Sequence, residues 1–119
     1  AIDGMAAQIA RGYAFYRERL FHGDGAPRTL SGRYPIDIHA CAEGVLCPSV
    51  LSDAEPGALA IAARTMRWTS AHLKNPATGV PYYRKYPGFT SRLYCPRWGL
   101  AWVYYALCEF HYRFHRASA

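Results

Sequence analysis

Proline and glycine fall in clusters along this 119-residue chain, and between the clusters apolar residues recur at intervals of three and four. That alternation favours short amphipathic helices joined by turn-rich loops. The first helical stretch runs from Asp3 to Phe21, with Met5, Ile9, Tyr13, Tyr16 and Leu20 on one face and Asp3 as its expected N-cap. The run His22-Gly23-Asp24-Gly25-Ala26-Pro27 ends it, and a loop continues to Tyr34-Pro35. A second helix is predicted from Ile36 to about Leu51. Asp37 stands near its N-terminus, where a carboxylate meets free N–H groups, and Pro48 predicts a kink or early end near Cys47.

The spacing Ser52-Asp53-Ala54-Glu55 matches a capping box, and Pro56 suits a first turn, so a third helix should begin here. Leu59, Ala62, Met66, Thr69 and Leu73 form its expected inward stripe, and Lys74-Asn75-Pro76 stops it. Pro81, Pro87 and Gly88 forbid a helix over 80–90, which reads as an extended, short two-stranded ribbon. Cys95-Pro96 opens a fourth helix. Nearly every residue from Trp98 to Cys108 is apolar, the pattern of a core helix buried on most sides, and its basic end, His111 to Arg116, suits the negative pole of the helix dipole. The predicted fold class is all-α: four helices in two hairpins of similar plan, one domain over 1–119.

Hydrophobic residues make up 51% and charged residues 18%, which supports a core of modest size and excludes disordered and fibrous classes. Lys and Arg number 14 against 8 Asp and Glu, for a net charge of +6. No apolar run approaches the roughly 20 residues of a membrane span, and no signal-peptide pattern opens the chain, so a soluble, cytoplasmic protein is expected. The chain starts at Ala1 with a helical pattern almost at once, as expected of a part excised from something longer. Cys41, Cys47, Cys95 and Cys108 form no CxxC pair or close metal spacing; free thiols are expected, with Cys41, Cys47 and Cys108 in apolar helical settings.

Three groups of residues carry a further signal. The segments Tyr34-Pro35-Ile36-Asp37-Ile38-His39-Ala40, Tyr82-Tyr83-Arg84-Lys85-Tyr86, and Arg97-Trp98-Gly99 with Ala101-Trp102 and Tyr105-Ala106-Leu107 resemble the C-terminal part of a bacterial and archaeal family encoded among polysaccharide-biosynthesis genes. Those proteins are similar in fold to the six-hairpin (α/α) toroids of unsaturated glucuronyl hydrolases and N-acylglucosamine epimerases. The resemblance spans about Gly12 to Leu107. It implies that the second and fourth helices are inner helices, whose first turns face a central sugar-binding funnel. Asp37, His39, Arg84, Arg97, Trp98 and Trp102 are then the funnel-wall candidates, with Asp37 as acid or base and the others binding substrate. Glu43 and Leu100 depart from the family pattern, where Gln is expected at both; at Leu100 a donor and an acceptor are lost.

The residues themselves admit plainer roles. Asp37 and His39, two apart, cannot face each other on a helix, so Asp37 serves equally as a helix cap and His39 as a packed histidine. Arg84, Lys85, Arg92 and Arg97 interleave with Tyr82, Tyr83, Tyr86, Phe89, Tyr94 and Trp98. This mixture suits stacking on sugar rings with guanidinium forks on carboxylates or phosphates, suits RNA, and suits a solvated rim loop. No RNP motif favours nucleic acid. Cys108, His111 and His115 have helical spacing, but without an HExxH pattern or further ligands no metal site is assigned, and no cofactor motif occurs.

Two readings from different classes follow. One is a carbohydrate-active or glycan-binding domain in bacterial surface-polysaccharide metabolism of the lipopolysaccharide or O-antigen type, taking an acidic saccharide or nucleotide sugar. Whether it catalyses is open; the toroid relatives imply glycosidic hydrolysis, elimination or epimerisation. The other is a non-catalytic protein-interaction or scaffolding module. In either case the apolar fourth helix implies a homo-oligomer or contact with the rest of a parent chain.

Overall fold

A computed structural model describes residues 2–119, and side chains from Gly4 onward. The elements in order are α1 (Ile2–Arg19), β1 (Ile36–Asp37), α2 (Ile38–Val50), α3 (Ala58–His72), β2 (Arg84–Tyr86), β3 (Phe89–Ser91), a π-helical segment (Pro96–Ala101) and α4 (Trp102–Ser118). The fold is therefore a mainly helical small domain with a three-stranded antiparallel sheet. The side chain of Asp3, the expected cap of α1, lies outside the described residues.

The core helix is α2. It buries Ile38, Cys41, Ala42, Val45, Leu46, Pro48 and Ser49 between α3 and α4. Two apolar clusters meet on it: Ile36, Ile38 and Cys41 with Trp68 and Leu73, and Ala42, Val45 and Leu46 with Ala62 and Ala106. Each large side chain removed from water in this way contributes roughly 1.5–3 kcal/mol before entropy is counted. Pro48 does not end the helix at Cys47; α2 continues to Val50, and the N–H of Leu51 closes the last turn on the Cys47 carbonyl.

The expectation that the fourth helix is the core is corrected. Of its residues only Ala106 is fully buried, while Tyr104, Tyr105, Leu107 and Phe114 are exposed. A run of apolar residues without a polar face records how much apolar surface a helix carries, not whether partners exist to cover it. Cys108, expected in an apolar setting, is accordingly exposed.

The third helix also starts later than its capping box suggests. Residues 51–57 form turns in which the N–H groups of Ala54 and Glu55 both donate to the Leu51 carbonyl. Gly57, at φ +82°, is the N-cap of α3 and offers no side-chain bond. The inward stripe is rotated from the expected one: Ala58, Ile61, Ala62, Thr65 and Trp68 are buried, with Leu73 just past the helix, while Leu59, Met66 and Thr69 are half-buried.

The first helix meets the rest through its C-terminal third. Tyr13 is buried, and the Tyr16 ring packs edge-on against Phe21 at 5.0 Å. The N-terminal part of the expected apolar stripe is uncovered, with Met5 and Ile9 more than half exposed, while Leu20 is half-buried. The loop after α1 is tied to α3 instead: Thr65 Oγ1 donates to the Gly25 carbonyl at 2.9 Å in a buried contact.

The ribbon expected near 80–90 is present as β2 and β3, and a third strand joins it. Ile36 pairs with Lys85 and Asp37 with Arg84, so the two residues read as the first turn of a helix are a strand. The N–H of Ile38 then donates to the Tyr83 carbonyl, so the sheet edge runs directly into α2.

Candidate functional site

The sheet ends where α2 begins, and Asp37 sits at the junction. Its Oδ1 accepts the Ala40 N–H at 2.8 Å, the N-cap bond read from the sequence. Its Oδ2 accepts from Arg84 at 3.2 Å, across the β1–β2 pairing that sets the two residues opposite each other. The Arg84 guanidinium lies 4.6 Å from the centre of the Tyr83 ring and donates to the Tyr86 hydroxyl at 3.4 Å. These bonds, that to Tyr86 foremost, hold Arg84 above its ordinary pKa, and its side chain is clamped in a fixed pose. Its charge is matched locally by Asp37.

In the first turn of the helix, His39 points to a different set of partners. Its ring stands edge-on to Trp102 at 5.2 Å and to Trp98 at 6.3 Å. Its Nε2 lies 3.9 Å from Glu43 Oε1, one helical turn further on, and its Nδ1 is buried with no hydrogen-bond partner among the described residues. Tyr105 extends the aromatic row at 6.1 Å from Trp102. Trp98 is 65% exposed, so a broad aromatic surface stands open beside the imidazole.

The π-helical segment builds this row. The N–H groups of Gly99 and Leu100 both donate to the Cys95 carbonyl, which widens the first turn before α4 begins. Gly99 is buried against α2, and a β-carbon there would stand 3.2 Å from Ile38 Cγ2. The missing side chain lets the segment approach α2 closely enough for Trp98 and Trp102 to reach His39.

Of the six residues singled out in the sequence, Asp37 and Arg84 form a contact pair and His39, Trp98 and Trp102 a separate group of three, all at the N-terminal end of α2. Arg97 is exposed and forms no ion pair among the described residues. Glu43 and Tyr105 are additions. The i,i+4 spacing of His39 and Glu43 could have pointed to Glu43, whereas Tyr105 is indistinguishable in sequence from the other aromatics of its helix.

Two hollows lie elsewhere. A cavity of about 90 Å³ between α2, α3 and α4 is lined mainly by apolar groups, including Cys41, Val45, Met66 and Leu107, and by none of the six expected site residues. An open hollow beside the sheet is lined by Asn75, Thr78, Tyr82, Arg92 and Tyr94, with the Arg92 guanidinium 5.4 Å from the Tyr82 ring.

All four cysteines are free. Burial pushes the Cys41 thiol up to about 12 and raises Cys47 as well. His111 and His115 lie with ring centres 4.3 Å apart, but no group of three or more metal-ligating side chains is placed to hold an ion among the described residues. No helix of the described residues is long and apolar enough to cross a membrane. Comparison with protein-family models, with curated proteins and with solved structures gives no match.

Proposed function

We propose that the N-terminal end of α2 is a saccharide site taking an acidic sugar chain or nucleotide sugar, in a domain of the (α/α) toroid kind serving bacterial surface-polysaccharide metabolism. The observation that carries this is the open aromatic row of Trp98, Trp102 and Tyr105 against His39, beside a guanidinium held rigid by Asp37 and Tyr86. Exposed indole faces stack on the apolar face of a pyranose ring, and planar donors bind carboxylates in a fixed geometry. Arg84, Lys85, Arg92 and Arg97 outnumber Asp37 and Glu43 around the sheet and the row, which favours an anionic ligand.

Within this reading Asp37 has both oxygens engaged and serves to position Arg84. His39, backed by the Glu43 carboxylate, is the group free to exchange a proton with a bound sugar. The toroid relationship and the polysaccharide setting rest on the sequence resemblance.

Titration of uronate oligomers against the protein and against Trp98→Ala, Trp102→Ala and Arg97→Ala tests the site. Loss of one stacking face, worth ~1.4 kcal/mol, should weaken binding by about tenfold. Equal binding by all variants, or none by the parent protein, overturns the proposal. Binding of single-stranded RNA that falls steeply with salt would favour a nucleic-acid role instead. Exact masses of recovered oligomers separate hydrolysis and elimination from simple binding, and deuterium uptake from solvent reports epimerisation.

A further inference from the structure

Half of the 14 cations stand in a part of the chain that holds no acid. From Pro56 to Cys108 there is no Asp or Glu against seven Lys and Arg, and of the seven only Arg84 forms an ion pair among the described residues. Next to Arg84 lies the open hollow beside the sheet. Arg92 follows Ser91, the strand partner of Arg84, and Tyr82 precedes Arg84 by two residues, a backbone span of at most about 7 Å. Both line the hollow, whose volume of about 400 Å³ falls in the range of small-ligand sites.

The groups around it are donors. Asn75 Oδ1 accepts the Ala77 N–H at 2.9 Å and Thr78 Oγ1 the Val80 N–H at 3.3 Å. The Asn75 amide NH2 and the Thr78 hydroxyl proton therefore keep their donor capacity, with no acceptor among the described residues. The Arg92 guanidinium lies over the Tyr82 ring without a carboxylate, and Tyr94, which also lines the hollow, is 56% exposed. A guanidinium, an amide and aromatic rings with no acid among them suit an oxygen-rich anion that has a face to stack.

Beyond the hollow the cations continue. Lys74, bridged to Pro81, stands just past the end of α3, and Arg67 and Arg64 are on the outward face of that helix, all three exposed. Cations spread over α3, the turn after it and the sheet suit the repeated carboxylates of an acidic sugar chain. The pyrophosphate of a nucleotide sugar, with its charges on adjacent groups, calls for cations that converge on one point.

We infer that the hollow is a second subsite, which receives a further uronate unit of the chain whose first unit stacks on Trp98 and Trp102. Arg92 pairs with the carboxylate of that further unit and Tyr94 packs against its ring. The assignment rests on the saccharide reading of the N-terminal end of α2, and it selects an acidic oligosaccharide of two or more units over a nucleotide sugar. Contact with the Tyr82 ring restricts the Arg92 side chain before the ligand arrives, which reduces the entropy lost on binding.

Calorimetric titration of galacturonate, its dimer and its tetramer, and of uridine diphosphate glucuronate, tests this on the parent protein and on Arg92→Ala, Tyr94→Ala, Trp98→Ala and Arg11→Ala. The tetramer should bind about 30-fold or more tightly than the monomer, beyond the gain that its number of units alone provides, because a second carboxylate is paired. Arg92→Ala and Tyr94→Ala should each remove most of that gain, whereas Trp98→Ala should weaken monomer and tetramer alike. Arg11, an exposed cation of α1, controls for net charge, and its loss should leave the gain intact. Arg92 and Tyr94 are both exposed, and circular dichroism identifies either variant should it fail to fold. A tetramer that gains nothing over the monomer overturns the assignment, as do folded hollow variants that keep the gain or an Arg11→Ala protein that loses as much. Dependence of nucleotide-sugar binding, but not of the tetramer's gain, on Arg92 overturns it too. In each of these cases monomer binding that Trp98→Ala weakens leaves the saccharide site standing, while a parent protein that binds none of the four ligands removes both.

Discussion

Asp37 carries two duties that the sequence could separate only by their chemistry. Capping needs an oxygen acceptor, whereas the Arg84 contact gains from a charge. Asp37→Ala removes both and should cost about 1–2 kcal/mol in denaturant unfolding; Asp37→Asn, which retains an acceptor for Ala40, should recover most of that loss. The ion pair adds little by itself because both side chains remain about 30% exposed. The thiols differ more sharply than their similar settings in sequence suggest. Alkylation at pH 8, followed by mass, should label exposed Cys108 first and buried Cys41 last. Because folding raises the Cys41 thiol from 9.0 to about 12, its contribution to stability is complete below pH 9 and is lost as pH rises from 9 towards 12. Tyr13 and Tyr16, raised chiefly by burial, act in the same direction. Unfolding free energy should therefore fall through that window, and less steeply in Cys41→Ala.

Among the elements, α2 was legible as a helix but not as the centre of the molecule. Its apolar positions resemble those of α4, yet α2 packs extensively against both α3 and α4, whereas α4 packs mainly against α2 and only slightly against α3. What allows α2 its close approach to α3 is Gly44. A β-carbon there would stand 2.9 Å from Thr65 Cγ2 and 3.1 Å from Phe21 Cε1, and Thr65 is itself held by its bond to Gly25. Gly44→Ala should therefore destabilise the protein by about 1–3 kcal/mol despite the better helix propensity of alanine, a difference measurable by thermal unfolding. The capping box before α3 shows the converse. Ser52 and Glu55 stand at the right spacing, yet the segment forms turns, because Asp53 pairs with Arg113 on α4 and Ser52 Oγ donates to the Ser49 carbonyl. Such partners, distant in sequence or belonging to the preceding helix, are invisible to a local motif.

At the scale of the whole molecule, stability should be unevenly distributed. The radius of gyration is 14.6 Å, above the roughly 13.5 Å of a compact domain of this length, because the first turns of α1 extend away from the core. Native-state hydrogen exchange should find the amides of residues 5–12 exchanging fastest among the helical ones and those of α2 slowest, near the global unfolding limit. Uniform protection along both helices would contradict the packing described. The sequence by itself determined where helices form and end to within a few residues, the extended segment near 80–90, and the residues able to cap, stack or pair, because propensity, turn chemistry and periodicity are local. Only the tertiary structure decided that α2 rather than α4 is the core, that β1 joins the ribbon, and that His39 turns to the tryptophans while Asp37 turns to Arg84. Those outcomes depend on which surfaces meet across tens of residues, and a side chain's partner there is set by the packing of whole elements.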